Sequence, residues 1–442
     1  MTEVVAQRSD ETAAYNIRAE LRRLSPAITF IALAIVIPWL FFDWSKGRHS
    51  GFVISLLSQM GLMTIFALSF NMQMGQAGLL TFGHAVFLGL GGYATIHVLN
   101  AVASGSFWLP MELMPLVGGI FGLIFAAIFG YMATKQTGTA YAMITLGFGE
   151  LVSAAAVMFN GFFGGEGGVT ANRMIKTSLV GLSYGPAIQV YYLILFWTVL
   201  SAGLMLLLTE VPLGQMANAC RDNSERAQFV GYDPRMVRFY QCAISGFFAG
   251  IAGALYAINY EIVTYDAVSA VFSANVLLMT FIGGIGVFWG PILGAVLITL
   301  LQSWMSLISD AWAIYVAVLF AIMVIYAPGG IAGLIITHLP IWRSGRLASL
   351  AIPYLRMVTP AMIGIIGFVG LVELAYSVSI GKSQGKALTL FYHVIDTGTL
   401  LPWFATVMFF VLGVALAASQ RGQFLNSWAA LAEETRAKEP VQ

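Results

Sequence analysis

Residues 210–238 read EVPLGQMANACRDNSERAQFVGYDPRMVR and carry eight charged side chains, in a chain of 442 residues that is only 9% charged. An Arg or Asp at the middle of a bilayer costs about 2.5–3.5 kcal/mol, so this segment lies outside the membrane, between two spanning helices. We call Glu210–Arg238 the charged lobe. A charged island in an otherwise apolar chain indicates a docking surface for a soluble partner.

The segments on both sides of the charged lobe are typical of an integral membrane protein. The chain is 59% hydrophobic, whereas soluble domains are about 45–50% apolar and about 25% charged. A spanning helix needs about 20 apolar residues, because each residue adds about 1.5 Å. The sequence therefore predicts an all-α polytopic membrane protein with about 12 transmembrane helices. The twelve stretches are 26–42, 51–72, 77–99, 113–133, 139–159, 187–209, 237–258, 270–289, 291–309, 311–334, 357–380 and 400–419.

The chain changes character after Pro328. Residues 338–356 contain two prolines and three arginines, which is typical of a linker. We predict a cytoplasmic amino-terminal segment (1–25), a ten-helix core (26–337), a cytoplasmic linker (338–356), a two-helix carboxy-terminal extension (357–420) and a cytoplasmic tail (421–442). The stretches 270–289 and 291–309 are separated only by a Gly-Pro break, so one of them is alternatively a half-span or a re-entrant segment.

The basic residues predict the orientation of the chain. With the amino terminus inside, the inside segments hold fifteen of the 21 Lys and Arg residues and the outside segments hold six. This bias predicts that both termini and the charged lobe are cytoplasmic. The outside segment 160–186 is rich in glycine, as expected either for a surface that packs under a partner or for a flexible linker. The net charge of +1 argues against a nucleic-acid partner.

Polar residues within the apolar stretches are candidates for a solute pathway, because ionisable groups are costly to bury in a membrane. Glu150 lies near the middle of its span, and His84 lies on a stripe of small and polar residues. A third cluster precedes the Gly-Pro break. Hydrogen bonding or close helix packing is the structural alternative for each group. The candidate pathway residues are Thr81, His84, Thr145, Glu150, Ser153, Asn275, Thr280, Gly283 and Gly284.

The sequence contains no convincing pattern for binding a nucleotide or a metal. Gly381, Lys382 and Ser383 match the end of a phosphate-binding loop, but Tyr376 stands where the first glycine is required. The five histidines are scattered along the chain and do not form a metal-ligand pattern. We therefore predict no catalytic residue, no metal and no cofactor bound by this chain. Any uphill transport requires energy from elsewhere.

Several stretches resemble branched-chain amino-acid ABC-transporter permeases of the LivM-like branch. The resemblance covers about residues 51–335 in the family's order. It rests on MGQAGLLTFGHAVFLGLGGY (74–93), GQMANACRDNSERAQFVGYDPRMVRFYQCAISGFFAGIAGALYA (214–257), LLMTFIGGIGVFWGPILGA (277–295) and YAPGGIAGLI (326–335). The helices at 357–380 and 400–419 are additional to the family core, and the resemblance assigns them no role.

The resemblance implies a permease subunit of the bacterial inner membrane that is not itself an enzyme. It further implies a second, related LivH-like permease subunit, a periplasmic solute-binding protein, and two ATPase subunits that bind ATP and Mg. The solute would be a branched-chain amino acid or a related small polar solute such as urea, an amide or an aromatic carboxylate. A different class of function remains as the alternative, namely a stand-alone channel or an ion-coupled secondary transporter.

The same resemblance implies a role for the charged lobe. Within residues 210–236, a coupling helix at about Asn218–Val230 would seat in a groove of the ATPase, and Gly231 would end this helix in a left-handed conformation. The attached spans 187–209 and 237–258 would transmit movement to the gate. The implied coupling residues are Asn218, Arg221, Asp222, Glu225, Arg226 and Gly231.

Overall fold

The computed structural model describes residues 29–43, 48–175, 177–344, 347–381, 388–390, 393–395 and 399–436. The predicted segment 1–25 and the part of the tail beyond Arg436 lie outside these ranges. The chain packs as two units, one that ends at Leu300 and one that begins at Leu301. This division falls earlier than the predicted end of the core at residue 337.

Helices form almost all of the described structure, which confirms the all-α membrane fold. In chain order they are α1 (Thr29–Leu40), α2 (Gly51–Asn71), α3 (Ala85–Ala103), α4 (Met114–Ala133), α5 (Gly138–Met158), α6 (Asn160–Phe163), α7 (Ala187–Glu210), α8 (Pro212–Asp222), α9 (Ser224–Phe229), α10 (Pro234–Tyr260), α11 (Ala270–Gly283), α12 (Gly290–Ile308), α13 (Trp312–Tyr326), α14 (Gly330–Arg343), α15 (Leu347–Tyr376) and α16 (Leu400–Arg436).

Three pairs of very short antiparallel strands accompany the helices. They are β1 (Phe42–Asp43) with β2 (Arg48–His49), β3 (Val169–Thr170) with β4 (Ile262–Val263), and β5 (Leu388–Leu390) with β6 (His393–Ile395). Each pair lies in connections between helices, so none of them forms a layer of the fold.

The predicted count of twelve spans is not confirmed. In the described part of the chain, nine helices are long and apolar enough to cross a membrane, and the pair α13 and α14, bent by 48°, makes a tenth span if it crosses as one. The helices α1 and α11 are shorter. The helix in the predicted span 270–289 is short because α11 ends at Gly283, and Gly284, which follows it, has a φ of +119° that suits glycine alone. This geometry agrees with the half-span alternative.

The unit that begins at Leu301 contains both additional helices. α15 and α16 pack backbone to backbone, since the space beside Gly364 and Gly367 is filled by main-chain atoms of Gly413 and Phe410. Glu373 on α15 accepts a hydrogen bond from the Tyr315 hydroxyl on α13 at 2.7 Å. Most of the predicted linker 338–356 is helical, because α14 and α15 extend into it from both sides.

Close glycine contacts join α3, α4 and α10 in the unit that ends at Leu300. A side chain at Gly250 on α10 would overlap the carbonyl oxygen of Gly118 and the Cα of Gly122, both on α4. A side chain at Gly253 would overlap the carbonyl oxygen of Leu88 on α3. Small residues let helix backbones approach closely in a membrane, where dispersion contacts replace the hydrophobic effect as the driving force. These glycines therefore hold the centre of the unit together.

The connection between α2 and α3 is irregular and buried. α2 ends in a π-helical turn at Met72–Gln76, and residues 77–84 then run without regular structure to α3. The helix α3 therefore begins eight residues after the start of the predicted span 77–99. Gly78 interrupts the helix, because its φ of +69° is not compatible with a right-handed helix. The amide of Leu79 donates to the carbonyl oxygen of Gln73 at 2.9 Å. Irregular backbone at membrane depth is tolerated where protein covers it.

One carboxylate accepts four hydrogen bonds from the loop that precedes α7. Glu112 accepts hydrogen bonds from the hydroxyls of Ser178 at 2.6 Å and Tyr184 at 2.9 Å, and from the backbone amides of Leu179 and Val180. Burial and the Glu112 carboxylate raise the pKa of Tyr184, so its hydroxyl keeps the proton that it donates. Residues 177–184 are thus an ordered surface and not a flexible linker.

Glu112→Ala should release this loop. A hydrogen bond to a charged acceptor contributes about 1.5–3 kcal/mol, so the backbone amides of Leu179 and Val180 should exchange hydrogen at least about tenfold faster. Hydrogen-exchange mass spectrometry on the purified protein measures this rate. Glu166→Ala removes an exposed carboxylate from the neighbouring segment and is the matched control. Unchanged exchange in Glu112→Ala would show that other contacts hold the loop.

Candidate functional site

The charged lobe contains two helices, so the predicted single helix Asn218–Val230 is wrong. α8 ends at Asp222 and α9 begins at Ser224. Asn223 lies between them in an extended conformation, and its side-chain oxygen accepts a hydrogen bond from the Arg226 amide at 2.9 Å. Asn is a strong N-cap residue, because this local bond satisfies an amide that a helix leaves free. The lobe therefore bends at Asn223.

All six predicted coupling residues lie at or near the lobe surface. The charged side chains among them are exposed, Asn218 is half-buried, and Gly231 has the left-handed conformation that was predicted, with a φ of +96°. The exposed charged side chains are Arg221, Asp222, Glu225 and Arg226.

Arg221 is partly exposed, and its side chain also reaches the membrane domain. Its Nε donates to the carboxylate of Asp222 at 3.0 Å, and its Nη1 donates to the backbone carbonyl oxygen of Gly75. The stem of Arg221 fills the space where Gly78 lacks a side chain. Arg221 therefore joins the charged lobe to the irregular connection between α2 and α3.

The underside of the charged lobe is a small apolar core. This core lies next to the contact between Arg221 and Gly78, because it includes the residues on both sides of Gly78. It also includes residues of α4, α5 and α10. Burial raises the pKa of the Cys220 thiol, which is consistent with a packing role in the uncharged form. The core consists of Ala77, Leu79, Ala133, Tyr141, Ala217, Cys220, Ala227 and Val237.

The outer end of the charged lobe exposes apolar side chains. Phe229 at the end of α9 is 90% exposed and Val230 is 71% exposed, and Tyr232 follows them. Asn223 positions this end, because it sets the direction in which α9 leaves α8. Large apolar side chains rimmed by charged residues are typical of protein interaction sites. Sequence reasoning chose the charged residues of the lobe and missed this apolar tip.

A small pocket lies where α4, α5 and α10 meet the start of α3. Thr81 and Thr145 line it, so two of the candidate pathway residues come together. The Thr145 hydroxyl accepts a hydrogen bond from the Phe82 amide at 3.3 Å. Tyr141 and Cys242 line the same pocket, and aromatic rings complete its wall.

His84 is completely buried beside this pocket. Its Nε2 lies 2.9 Å from the hydroxyl oxygen of Ser69 on α2. Its ring stacks on Phe66 and meets Phe70 and Phe87 edge to face, with centroid distances of 5.2, 5.5 and 5.7 Å. Within the described part of the chain, its Nδ1 has no hydrogen-bond partner. The surroundings of His84 are those of a packed helix contact, which was the structural alternative for this residue.

A buried polar network lies between the pocket and the charged lobe. Gln73, in the π-helical turn, donates to the Cys242 thiol at 3.6 Å and accepts from the Tyr141 hydroxyl at 3.3 Å. Gln76, in the same turn, accepts from the Gln241 amide at 2.7 Å. Sequence reasoning missed this network, although the polar run at the end of the second predicted span was a visible signal.

Glu150 faces away from these groups. Its side chain is exposed on the outer face of α5, whereas Thr145 and Gly149 face the bundle. Among the described residues, it forms no hydrogen bond and no ion pair. Ser153 is half-buried one turn further along α5. A carboxylate in the middle of a spanning helix is costly in lipid, so this face requires a polar partner or water.

The third predicted cluster is mostly close packing. Thr280 is buried, and its hydroxyl donates to the Val276 carbonyl at 2.8 Å. Main-chain atoms of α12 fill the space beside Gly283, and the strained φ of Gly284 ends α11. Asn275 is half-buried on α11, apart from the pocket-lining residues.

Comparisons with known proteins agree with this architecture. The family described as "Branched-chain amino acid transport system / permease component" matches residues 52–327. The permease protein LivM of the high-affinity branched-chain amino acid transport system of Salmonella typhimurium is 27% identical over 322 residues, which cover 68% of this chain and 73% of LivM. LivM of Escherichia coli is 26% identical over 320 residues, with the same coverage of 68% and 73%.

A sugar permease is a more distant relative. The fructose import permease protein FruF of Bifidobacterium longum is 25% identical over 234 residues, which cover 51% of this chain and 62% of FruF. No solved structure matches the chain significantly. The family match covers more than half of the chain and includes the charged lobe, the pocket and α2 to α13. The chain therefore belongs to the permease components of branched-chain amino acid transport systems, and it is LivM-like.

Proposed function

We propose that this chain is the permease subunit of an ATP-driven importer in the bacterial inner membrane. The observation that carries the proposal is the charged lobe, which is anchored in the fold from below and exposes charges and an apolar tip on its free side. Both termini and the lobe lie on the cytoplasmic side of the membrane, which is the orientation that the distribution of Lys and Arg favours.

The lobe is the docking surface for an ATPase subunit. Phe229 and Val230 supply exposed apolar area, and Glu225 and Arg226 supply charges beside it. An apolar centre with a polar rim is the usual composition of a specific interface. Two ATPase subunits hold ATP and Mg and hydrolyse the nucleotide, while this chain moves the solute.

A second, LivH-like permease subunit covers the outer face of α5. Ionisable residues in spanning helices face protein or a water-filled cavity, and among the described residues Glu150 on this face has neither. The solute route therefore runs along this face, between the two permease subunits, and for an amino acid, urea or another amide Glu150 binds the cationic or amide group of the solute. A periplasmic solute-binding protein delivers the solute on the opposite side from the charged lobe.

The solute is a branched-chain amino acid or a related small polar solute such as urea, an amide or an aromatic carboxylate. Two relatives are named for branched-chain amino acid transport and a more distant one for fructose import. The solute-binding protein selects among these solutes before they reach the permease, so it sets most of the specificity.

Phe229→Ser tests the docking surface. An aromatic anchor at the centre of an interface contributes about 2 kcal/mol or more, so affinity for the ATPase subunits should fall roughly thirtyfold. ATP-dependent uptake of labelled leucine into vesicles that hold the assembled importer should fall with it. Because Phe229 is 90% exposed, the fold of this chain should not change.

Phe107→Ser is the matched control, since Phe107 is 53% exposed and lies between α3 and α4, away from the lobe. It should leave ATPase affinity unchanged. Uptake that persists without the ATPase subunits and collapses with an uncoupler would select the ion-coupled alternative in place of this proposal.

A further inference from the structure

We propose that the π-helical turn Met72–Gln76 transmits movement of the charged lobe to the pocket, with Arg221 as the positioning residue at the lobe end. This inference rests on the proposed function, because it requires that an ATPase moves the lobe. It gives Arg221 a role inside the permease in addition to its place on the lobe surface. It also adds a route other than the two spans attached to the lobe.

The lobe end of the route is a hydrogen bond between a side chain and the main chain. Arg221 is on α8, and its Nη1 donates to the carbonyl oxygen of Gly75 within the turn. A bond to the main chain acts on the backbone of the turn itself, and close packing of Gly78 against the Arg221 stem limits the rotamer changes that would absorb a movement. Any displacement of α8 is therefore felt directly at Gly75.

Gly78 closes the contact around Arg221. A Cβ at this position would lie 2.9 Å from the Cγ of Arg221, so only glycine leaves room for the arginine stem. The φ of +69° at Gly78 also suits glycine. Ala77 and Leu79, on either side of it, belong to the apolar core under the lobe. The lobe is thus held to the connection by packing as well as by the hydrogen bond.

The pocket end of the route is the buried polar network. Gln73 lies two residues before Gly75 and contacts both Tyr141 and Cys242, which line the pocket. Each of these three side chains is at most 2% exposed. A shift of the turn must therefore break or move hydrogen bonds at the pocket wall, because no water replaces them in the buried state.

The turn itself is suited to movement. A π-helical turn contains one more residue per hydrogen-bonded ring than an α-helix, and such turns are frequent at functional sites. Here the turn lies between a regular helix, α2, and the irregular residues 77–84. When Gly75 moves, the backbone of the turn adjusts by exchanging π-type (i to i+5) for α-type (i to i+4) hydrogen bonds. This exchange rotates Gln73 relative to α5 and α10.

The native Cys242 reports on the pocket wall. In a Cys220→Ala background, it is the remaining cysteine of this chain. The experiment measures its labelling rate by a small methanethiosulfonate reagent in the assembled importer, without nucleotide and with a non-hydrolysable ATP analogue. The analogue should change the rate at least fivefold when Arg221 is intact. Arg221→Ala should reduce this nucleotide effect below twofold, while the ATPase subunits remain bound.

Three further variants separate this role from a general loss of structure. Arg221→Lys keeps a donor for Gly75 and should restore at least half of the nucleotide effect. Arg235→Ala removes another cation from the lobe, one that lies over the Tyr131 ring, and should leave the effect unchanged. Gln73→Leu should also reduce the effect without abolishing it, and adding Arg221→Ala to it should cause no further loss.

The outcomes distinguish the inference from the proposed function. If the ATPase subunits fail to bind the unmodified chain, the proposed function fails. If they bind but Arg221→Ala keeps the full nucleotide effect, or Cys242 shows no nucleotide effect in the unmodified chain, the route through the turn is wrong. Independent, multiplicative losses in the Arg221→Ala and Gln73→Leu double variant would also contradict it.

Discussion

Gly250→Val should abolish accumulation of the folded protein. The Val side chain would overlap main-chain atoms of Gly118 and Gly122, which cannot move away by changing rotamer. Overpacking a close-packed interior costs about 3 kcal/mol when neighbours can adjust, and here α4 and α10 must separate along their length. That separation would remove the contact on which the unit depends. Fluorescence-detected size-exclusion chromatography of the detergent-solubilised protein measures the folded fraction.

Gly203→Val is the matched control for this experiment. Gly203 lies on α7, and a Cβ there would meet no atom within 4 Å. The same substitution should therefore leave the elution profile and the melting temperature unchanged. A folded Gly250→Val protein with a normal melting temperature would mean that α4 and α10 are further apart than the structure indicates.

Glu150→Ala should nearly abolish uptake without affecting the fold. The side chain is exposed on α5, so its removal leaves no cavity within the chain. If Glu150 binds the solute on the proposed route, removing one member of a desolvated charged pair costs about 2–5 kcal/mol, and uptake should fall roughly 100-fold. Initial rates of ATP-dependent uptake in vesicles measure the loss, with the amount of assembled importer determined in parallel.

Two variants on the same helix complete this test. Glu150→Gln keeps the shape and one hydrogen-bond acceptor but removes the charge, so it should retain more uptake than alanine if the solute group is an amide, and little if the group is cationic. Met143→Ala alters the same exposed face without changing its charge and should have little effect. Full uptake by Glu150→Ala would place the solute route elsewhere.

The hydropathy of the chain predicts its helices well because it is a local property. Every predicted span overlaps a helix, and most boundaries agree within a few residues. The errors fall where one residue changes the backbone path. Gly78 delays the start of α3, Gly284 ends α11 early, and Asn223 divides the predicted coupling helix into two. The length of an apolar stretch alone reveals none of these breaks.

The candidate site is less predictable because it depends on which helices meet. Sequence reasoning selected Thr81 and Thr145, which do share a pocket, but it missed Tyr141 and Cys242, since an aromatic and a cysteine in apolar stretches resemble core residues. It selected Glu150 and Thr145 for the same pathway, whereas Thr145 is buried in the bundle and Glu150 is exposed on the outer face of α5.

The sequence by itself determines that this chain is an all-α membrane protein of the branched-chain permease family with one charged lobe, because composition, apolar run length and local motifs carry this information. Only the tertiary structure decides that Arg221 turns inward to Gly75 and that Glu150 turns outward from the bundle. Those directions depend on contacts between segments distant in sequence, such as Gly78 with the stem of Arg221 and Gly83 with the backbone of Thr145. Small residues of this kind leave no periodic signal of the partner that they pack against.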